Sequence, residues 1–313
     1  MASHTEFKDL TNGEEVVAAF PEQVAGRIFI ITGPTTGNIG AATATALAKA
    51  KPAAIVLAGR TPSKFQQVAD EIKRIDATVN VISVVLDLGS FASVRAAAKA
   101  ILENDDISRV DVVVNNAGIM AQPYSLTSDG IESQFGVCHV GHFLFTNLLM
   151  PKLKLSDNPT IVNVSSSGHR FGLWDFSDYN WEKRPYNIWN AYGQGKSANV
   201  LFTVSLAERG IRSIALHPGW VLGTELGSHI PEEEFNVLGQ MIAATPAFEY
   251  MPNKKNIAQG ASTVLVGALD QKLPNGSYLH DCQVIDADPH AIDPALAKQL
   301  WELSNKLTGE NFA

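Results

Sequence analysis

The sequence predicts an α/β fold, a doubly wound parallel sheet covered by helices on both sides, within a single domain. Short apolar runs that read as strands alternate along the chain with stretches of helical periodicity. The runs are apolar on both faces, which is typical of strands buried in a parallel sheet. No linker divides the 313 residues. Right-handed crossovers between such strands give the doubly wound arrangement.

The elements follow one another in a regular order. The predicted strands span residues 27–31, 54–58, 79–86, 110–115, 160–164, 211–216 and 278–285. The predicted helices span residues 38–50, 63–75, 92–102, 131–152, 192–209 and 258–269. Residues 1–25 form an N-terminal extension, where Thr11 and Glu14 predict a capping box before a short helix. Residues 26–313 form the domain, with two long loops near 170–190 and 220–255.

Composition narrows the function. The net charge is −8, from 24 basic and 32 acidic residues, and no long basic run suggests a nucleic-acid surface. Cys138 and Cys282 are the only cysteines, which indicates a reducing, cytoplasmic setting. The first residues are polar and acidic, unlike a secretory signal. No apolar run reaches the ~20 residues that span a bilayer.

A glycine-rich turn between the first strand and the next helix predicts a dinucleotide site. It reads Thr32-Gly-Pro-Thr-Thr-Gly-Asn-Ile-Gly40. Glycines allow a tight turn and let a pyrophosphate approach the helix N-terminus, as in Rossmann-type folds. The second strand ends at Arg60, where an acidic residue would hold a ribose. An arginine there, with Thr61 or Ser63, favours the 2′-phosphate of NADP(H) over NAD(H). An exposed loop arginine is the alternative.

Tyr192 and Lys196 stand four residues apart, so on one helix they share a face. An ammonium at ~4 Å is worth ~4 kcal/mol, or about three pKa units, which would bring a phenol near working pH. Tyr179 and Lys183 have the same spacing, but Pro185 would end their helix at once. The uninterrupted helix therefore favours Tyr192 over Tyr179 as the candidate acid–base catalyst. The spacing alone favours the alternative, a helix-face tyrosine that reaches water.

In order along the chain, these motifs resemble the short-chain dehydrogenase/reductase family over residues 25–290. The TGxxxGxG loop is matched at Thr32, Gly33 and Gly37, and YxxxK at Tyr192 and Lys196. The remaining matches are Asp87 with Leu88, Asn115-Asn116-Ala117-Gly118, the serine run Ser165-Ser166-Ser167, and Pro218, Gly219 and Thr224. Phrases such as Gly-His-Phe-Leu-Phe-Thr-Asn-Leu-Leu resemble the retinol-dehydrogenase-like branch and its fungal relatives.

The resemblance implies a carbonyl reductase, or the reverse reaction, with NADP(H). Alignment points to Ser166 as the catalytic serine, beside Tyr192 and Lys196, with Ser165 and Ser167 as neighbouring candidates. The implied cofactor contacts are Gly33, Thr35, Thr36, Gly37, Asn38, Ile39, Arg60, Asp87, Leu88, Asn116, Ala117, Gly118, Tyr192, Lys196, Pro218, Gly219, Val221 and Thr224. The family's helices around Cys138 and Tyr192 pair subunits, which implies a homodimer or homotetramer.

Three departures from the family pattern stand out. Asn38 is an extra residue in the glycine loop, so we expect a wider turn that still binds the cofactor. The gap from Ser166 to Tyr192 is long. Cys138 occupies the place of the family's catalytic asparagine, keeping the main-chain carbonyl that helps to hold a water but losing the amide. It is a candidate catalytic residue, although a buried cysteine is usually a small hydrophobe.

The histidines and the two long loops allow predictions about a metal site and about the class of substrate. His139, His142, His169 and His217 lack the spacing of a metal site, so no metal is predicted. The loops are rich in aromatic residues and methionine, which predicts a bulky apolar substrate such as a polycyclic, prenylated or polyketide-like carbonyl compound of secondary metabolism. The wall residues are Phe171, Trp174, Phe176, Tyr179, Trp181, Tyr186, Trp189, Trp220, Leu222, Phe235, Met241, Phe248, Tyr250 and Met251. Ordinary loop packing, non-redox chemistry on the same fold and a non-catalytic redox sensor are the alternatives.

Overall fold

One mixed sheet runs through the computed structural model of the chain, which describes residues 1–172, 175–245, 248 and 253–313. Its eight strands within those residues follow the order β3-β2-β1-β4-β5-β6-β7-β8. The strands are β1 (Ile28–Thr32), β2 (Ala54–Gly59), β3 (Asn80–Val85), β4 (Val112–Asn115), β5 (Thr160–Val164), β6 (Ser213–His217), β7 (Tyr278–His280) and β8 (Gln283–Ile285). All neighbours are parallel except β7 and β8. The predicted doubly wound fold is confirmed.

Helices cover both faces of the sheet. They are α1 (Gly13–Ala19), α2 (Ile39–Ala48), α3 (Gln66–Ile75), α4 (Phe91–Leu102), α5 (Ser133–Phe135), α6 (Gly141–Leu148), α7 (Met150–Leu153), α8 (Ile188–Glu208), α9 (Glu232–Ala244), α10 (Ile257–Leu269) and α11 (Pro294–Thr308). A π-helical turn, Gly136–Val140, joins α5 to α6. In the part of the chain that the structure describes, no helix is long and apolar enough to cross a membrane.

Two local predictions were wrong in detail. The first helix is capped one residue later than expected, because Asn12 and Glu15, not Thr11 and Glu14, form the capping box. The predicted strand 278–285 is two antiparallel strands. Asp281 and Cys282 both have positive φ, +48° and +65°, and form a two-residue turn that reverses the chain.

The first residues of the chain belong to the main core. Val16 and Val17 on α1 are buried in the cluster that includes α10. At the amino end, the main-chain N–H of Ser3 donates to the Asp270 carboxylate at 2.7 Å. The N-terminal extension therefore contributes apolar burial to the sheet's outer layer.

The C-terminal helix α11 covers α6 and α8. Trp301 packs edge-on against Phe143 of α6, with ring centroids 5.0 Å apart, and also contacts Phe202 of α8. His139 bonds through Nε2 to the Ser304 hydroxyl at 2.8 Å. The chain's own C-terminal helix therefore covers part of the surface of α6 and α8, and pairing of subunits through the helices around Cys138 and Tyr192 stays a prediction.

Candidate active site

A cavity of about 680 Å³ opens at the carboxyl ends of the strands, near the neighbouring strands β1 and β4, between which the strand order reverses. Doubly wound sheets bind ligands at this switch point. Its lining begins at the glycine loop, crosses the ends of β2, β4 and β5, and ends against the segment 217–229. Almost every residue that sequence reasoning selected for the cofactor lines it, except Thr36 and Gly37, which border a neighbouring shallow depression.

The glycine loop presents the N-terminus of α2 to the cavity. Asn38 is the N-cap, yet its side chain makes no bond to the helix it begins. Its Oδ1 accepts instead from the main-chain N–H of Glu225 at 3.2 Å. The extra residue of this loop therefore ties it to the segment on the other side of the cavity, and leaves the first N–H groups of α2 without a side-chain cap.

Gly40 is a closely packed position that sequence reasoning did not select as a site residue. A Cβ there would lie 2.6 Å from both the Asn116 Nδ2 and the Gly33 carbonyl oxygen. The Asn116 amide also donates to the Thr32 carbonyl at 2.8 Å. The third glycine of the loop thus lets β1, α2 and the turn after β4 meet, and its place in the glycine pattern was the signal for it.

A cationic corner lies at the end of β2. Arg60 and Thr61 line the cavity there, and so does Lys64, which sequence reasoning missed. Both the N–H and the hydroxyl of Thr36 donate to the Lys64 carbonyl, at 3.0 and 3.1 Å. This pairing holds the lysine-bearing turn against the glycine loop and brings a second cation to the corner.

The turns after β3 and β4 are held by their own polar groups. Asp87 Oδ1 accepts from the Gly89 N–H at 2.9 Å. The Thr32 hydroxyl receives the N–H groups of Asn116 and Ala117, both at 3.0 Å. Asp87, Leu88, Asn116, Ala117 and Gly118 all line the cavity.

Tyr192 and Lys196 lie on the first half of α8. The helix begins after Asn187, whose side chain accepts from the N–H groups of residues 189 and 190. The Lys196 ammonium lies 5.6 Å from the centroid of the Tyr192 ring and donates to the Val164 carbonyl at 3.0 Å. A single intact helix therefore brings the phenol and the ammonium to the carboxyl end of β5.

Burial governs the acidity of Tyr192 in this structure. Removal from water raises the pKa of the phenol above its ordinary value, while the Lys196 ammonium and the hydrogen bond with Ser166 lower it, and Cys138 raises it slightly. The net direction is upward. In this structure desolvation of the phenolate outweighs the opposing effects of the Lys196 charge and the Ser166 hydrogen bond on the pKa of Tyr192.

Ser166 is the serine that faces the phenol. Ser165 is buried, and its hydroxyl donates to the Lys196 carbonyl at 2.7 Å. Ser166 caps a short 3₁₀ turn, where its Oγ accepts from the Gly168 N–H at 3.0 Å, and its hydroxyl also interacts with the Tyr192 phenol. Ser167 is buried in that turn.

The second tyrosine–lysine pair is not assembled. Tyr179 lies outside a helix and packs against Phe135, with centroids 6.0 Å apart. Lys183 is exposed and contacts the Ser177 carbonyl. Neither residue lines the cavity.

The chain also matches known proteins over most of its length. The sequence profile of the short chain dehydrogenase family matches residues 27–234. Human retinol dehydrogenase 13 is 40% identical over 293 residues, covering 91% of this chain and 86% of that protein. Mouse retinol dehydrogenase 12 is 37% identical, covering 92% and 88%. The chain belongs to the short-chain dehydrogenase family. Within that family it is retinol-dehydrogenase-like.

Solved structures of the family agree with this fold. An uncharacterised protein from Mycobacterium paratuberculosis superposes with a TM-score of 0.71 and 33% identity, covering 95% of this chain and 98% of that one. The NADPH-bound carbonyl reductase from chicken fatty liver superposes with a TM-score of 0.58 and 22% identity, covering 83% and 99%. The second likeness concerns the fold alone.

Cys138, at the place of the family's asparagine, lies behind the cavity and does not line it. It is fully buried on the π-turn, and its thiol donates to the Ile119 carbonyl at 3.4 Å. Its carbonyl accepts from Nδ1 of His142 at 3.0 Å. Burial lowers the pKa of His142 to about 4, so the ring is neutral, with Nε2 facing the Thr32 hydroxyl at 2.9 Å. The Cys138 main-chain carbonyl, which corresponds to the one that helps to hold a water in the family, therefore already accepts one hydrogen bond, from His142.

The segment after β6 completes the lining with Pro218, Gly219, Val221 and Thr224. Ser165 N–H donates to the Leu216 carbonyl at 2.7 Å, so this segment starts directly beside the serine turn.

The residues that the sequence predicted for the substrate wall fall into three sets. Six of the selected residues line the cavity: Phe171, Trp189, Trp220, Leu222, Phe235 and Phe248. Phe176, Tyr179, Trp181, Tyr186 and Met241 do not line it. Trp174, Tyr250 and Met251 lie outside the described residues. Met120, Leu238 and Ile242 join the wall, and sequence reasoning missed them.

His139, His142, His169 and His217 are the histidines that the sequence analysis weighed as metal ligands. Among the residues with described positions, no three metal-ligating side chains come together. Burial lowers the pKa of His139 to about 3, and His139 packs between Phe135 and Phe143.

Proposed function

We propose that this chain is an NADP(H)-dependent oxidoreductase that reduces the carbonyl, or oxidises the alcohol, of a bulky apolar molecule. One observation carries the proposal. Ser166, Tyr192 and Lys196 face one end of a cavity whose other end carries Arg60 and Lys64. Acid–base groups at one end and two cations at the other match the two ends of a phosphorylated dinucleotide.

The lining fits that cofactor. The uncapped N-terminus of α2 would receive the pyrophosphate, since helix N-termini attract anions. Asp87 would bond the adenine, and Arg60 with Lys64 would pair with a 2′-phosphate. When bound, the nicotinamide supplies or accepts a hydride. The buried Lys196 would hold the adjoining ribose.

The reacting groups have separate tasks. Ser166 would donate a hydrogen bond to the substrate oxygen and stabilise the charge that develops there. Because burial raises the pKa of Tyr192, the phenol keeps its proton at neutral pH and suits the donor role in carbonyl reduction. In the reverse direction the same phenol would first have to lose that proton, which the approach of Lys196 and the cofactor's positive ring would favour.

Apolar side chains support a bulky substrate. Trp189, Met120, Phe235, Leu238 and Phe248 line the cavity beyond the tyrosine. Such a wall can bury a large hydrocarbon. An aldehyde of the retinal type, which the relatives' names suggest, fits this description.

The test is turnover by Tyr192→Phe, followed as NADPH absorbance at 340 nm with all-trans-retinal. We expect kcat to fall about 10²–10⁴-fold while NADPH affinity stays within about two-fold, since the change removes only the proton. Tyr179→Phe is the matched control and should keep full activity. Undiminished turnover in Tyr192→Phe, or product formed with no change at 340 nm, would refute the proposal. A wild-type preference for small sugars would refute the substrate class.

A further inference from the structure

Lys255 is a buried cation that the proposed reaction does not use. Its side chain is 1% exposed, and its Nζ lies 2.6 Å from Oδ1 of Asp281, whose side chain is 22% exposed. Neither residue lines the cavity. Taking an ammonium out of water is costly unless a carboxylate compensates for it, so this pair must stabilise a particular arrangement.

The main chain of Lys255 is hydrogen-bonded to the segment Gly219–Leu222, which borders the reacting groups. Its N–H donates to the Trp220 carbonyl, and its carbonyl accepts from the Leu222 N–H, both at 2.9 Å. The lysine thus joins the two ends of the long loop 220–255. That pairing sets the path of the chain immediately after Gly219.

The lysine stem lies directly under Gly219. A Cβ at Gly219 would lie 2.7 Å from both Cδ and Cε of Lys255, and the glycine has φ of +97°. A side chain here would displace the stem and strain the backbone. The cavity rim at Gly219 therefore rests on the side chain of Lys255.

Asp281 anchors the pair to the sheet. It is the first residue of the β7–β8 turn, where both central residues have positive φ, a conformation that aspartate tolerates better than most residues. Its Oδ1 also lies 3.4 Å from Nε2 of His280. His280 in turn packs beside His217, with ring centroids 5.2 Å apart, and burial lowers the pKa of His217 well below its usual value.

We propose that the Lys255–Asp281 pair positions the segment Gly219–Leu222 as the rim that receives the nicotinamide ring. This rests on the proposed function, because a nicotinamide that reacts beside Ser166 and Tyr192 must lie against the segment after β6. Both residues are positioning residues. They act through Gly219 and the two main-chain bonds at Lys255.

The test compares the binding of the whole cofactor with the binding of a fragment that lacks the nicotinamide. Lys255→Met keeps the stem under Gly219, and Asp281→Asn keeps the turn, so each change removes mainly a charge. Calorimetry would measure the Kd of NADPH and of 2′-phospho-ADP-ribose, which lacks nicotinamide. Asp281→Asn leaves the ammonium unpaired and should weaken NADPH roughly ten-fold. Lys255→Met should weaken it less, because the Asp281 carboxylate reaches water, and the double variant should bind better than Asp281→Asn.

The affinity for 2′-phospho-ADP-ribose should stay within about two-fold in all three variants, because the rim does not touch that fragment. Arg109→Met is the control, since it breaks the 2.9 Å Arg109–Asp111 pair at the amino ends of the strands. It should lower Tm and leave both Kd values unchanged.

Three outcomes would overturn the inference. Equal losses for NADPH and the fragment would mean general loosening. Unchanged NADPH affinity in Asp281→Asn would mean that the pair positions nothing. If the wild type binds neither nucleotide, the proposed function fails and the inference fails with it, a result distinct from the first two. If the wild type binds NADH more tightly, the same series with NADH and ADP-ribose tests the pair independently of Arg60.

Discussion

The sheet with its covering helices and the loop 220–255 are stabilised in different ways. In the sheet and its helices, aromatic side chains such as Phe143 and Trp301 are buried against one another. In the loop, α9 has no buried residue, and Trp220 is 48% exposed. The loop is attached by a small apolar cluster, in which Ile230 packs with Trp189, and by polar contacts such as those of Asn38 with Glu225 and Lys255 with Asp281. The reacting groups therefore rest on extensive close packing, whereas the loop rests on fewer contacts.

This difference suits the proposed reaction. Ser166, Tyr192 and Lys196 must keep their mutual positions to within fractions of an ångström, and a packed helix and strand provide that. A wall for large apolar molecules must admit and release them. We therefore expect substitutions in the packed region to change mainly the stability of the protein, and substitutions around the cavity to change mainly the binding and release of ligands. Four experiments test this expectation.

The largest expected effect comes from Trp301→Ala. Trp301 is 4% exposed and packs against Phe143, Phe202 and the guanidinium of Arg209. Its removal should lower the free energy of unfolding by about 3–5 kcal/mol. Trp220→Ala, the matched loop control, should change it by less than about 0.5 kcal/mol. Urea denaturation measures both, and similar losses would break the comparison.

The second largest effect is expected from acid, which should destabilise the packed region. Burial lowers the pKa of His139 to about 3 and of His142 to about 4, whereas the unfolded chain binds these protons near pH 6.5. Stability is therefore full above about pH 6.5 and falls as the pH drops towards the folded values, by up to about 1.4 kcal/mol per pH unit for each histidine. Unfolding measured from pH 7 to 5 should show this slope, and His139→Gln should flatten it. An unchanged slope in the variant would contradict the assignment.

Arg60→Ala tests the cationic corner. Loss of a charge-assisted contact to a 2′-phosphate should weaken NADPH roughly 10- to 100-fold and leave NADH within about two-fold. Lys64→Ala should act in the same direction. Calorimetric Kd values for both cofactors decide the matter, and tighter binding of NADH than NADPH by the wild type would refute the preference.

The smallest effect is expected for Asn38→Ala, which removes the bond to the Glu225 N–H. One exposed hydrogen bond is worth about 1 kcal/mol, so NADPH release should be roughly five-fold faster. Stopped-flow fluorescence measures the release rate, and limited proteolysis of loop 220–255 measures its attachment. If neither rate changes, Asn38 does not hold the loop.

Sequence patterns predicted the structure of the sheet and its covering helices better than that of the loop 220–255. The strand cores, the glycine loop and the Tyr192 helix depend on local periodicity and turn residues, which sequence reports directly. The break at Asp281 was missed because a turn formed by Asp and Cys lacks the usual glycine signal. Lys64 and Gly40 were passed over although each stood within a selected motif. Leu238 and Met120 come from separate regions that only the fold brings together.

The sequence by itself determined the family and the doubly wound fold, and it selected the residues proposed for the acid–base chemistry, because periodicity and short motifs are local properties of the chain. Tertiary structure decided the rest. It buried Tyr192 enough to raise its pKa, brought the Cys138 thiol to the Ile119 carbonyl, and covered α6 and α8 with α11. It also placed Lys255 under Gly219, 36 residues away in the chain. Desolvation, charge pairing and surface coverage depend on which distant residues meet, and no local pattern encodes that.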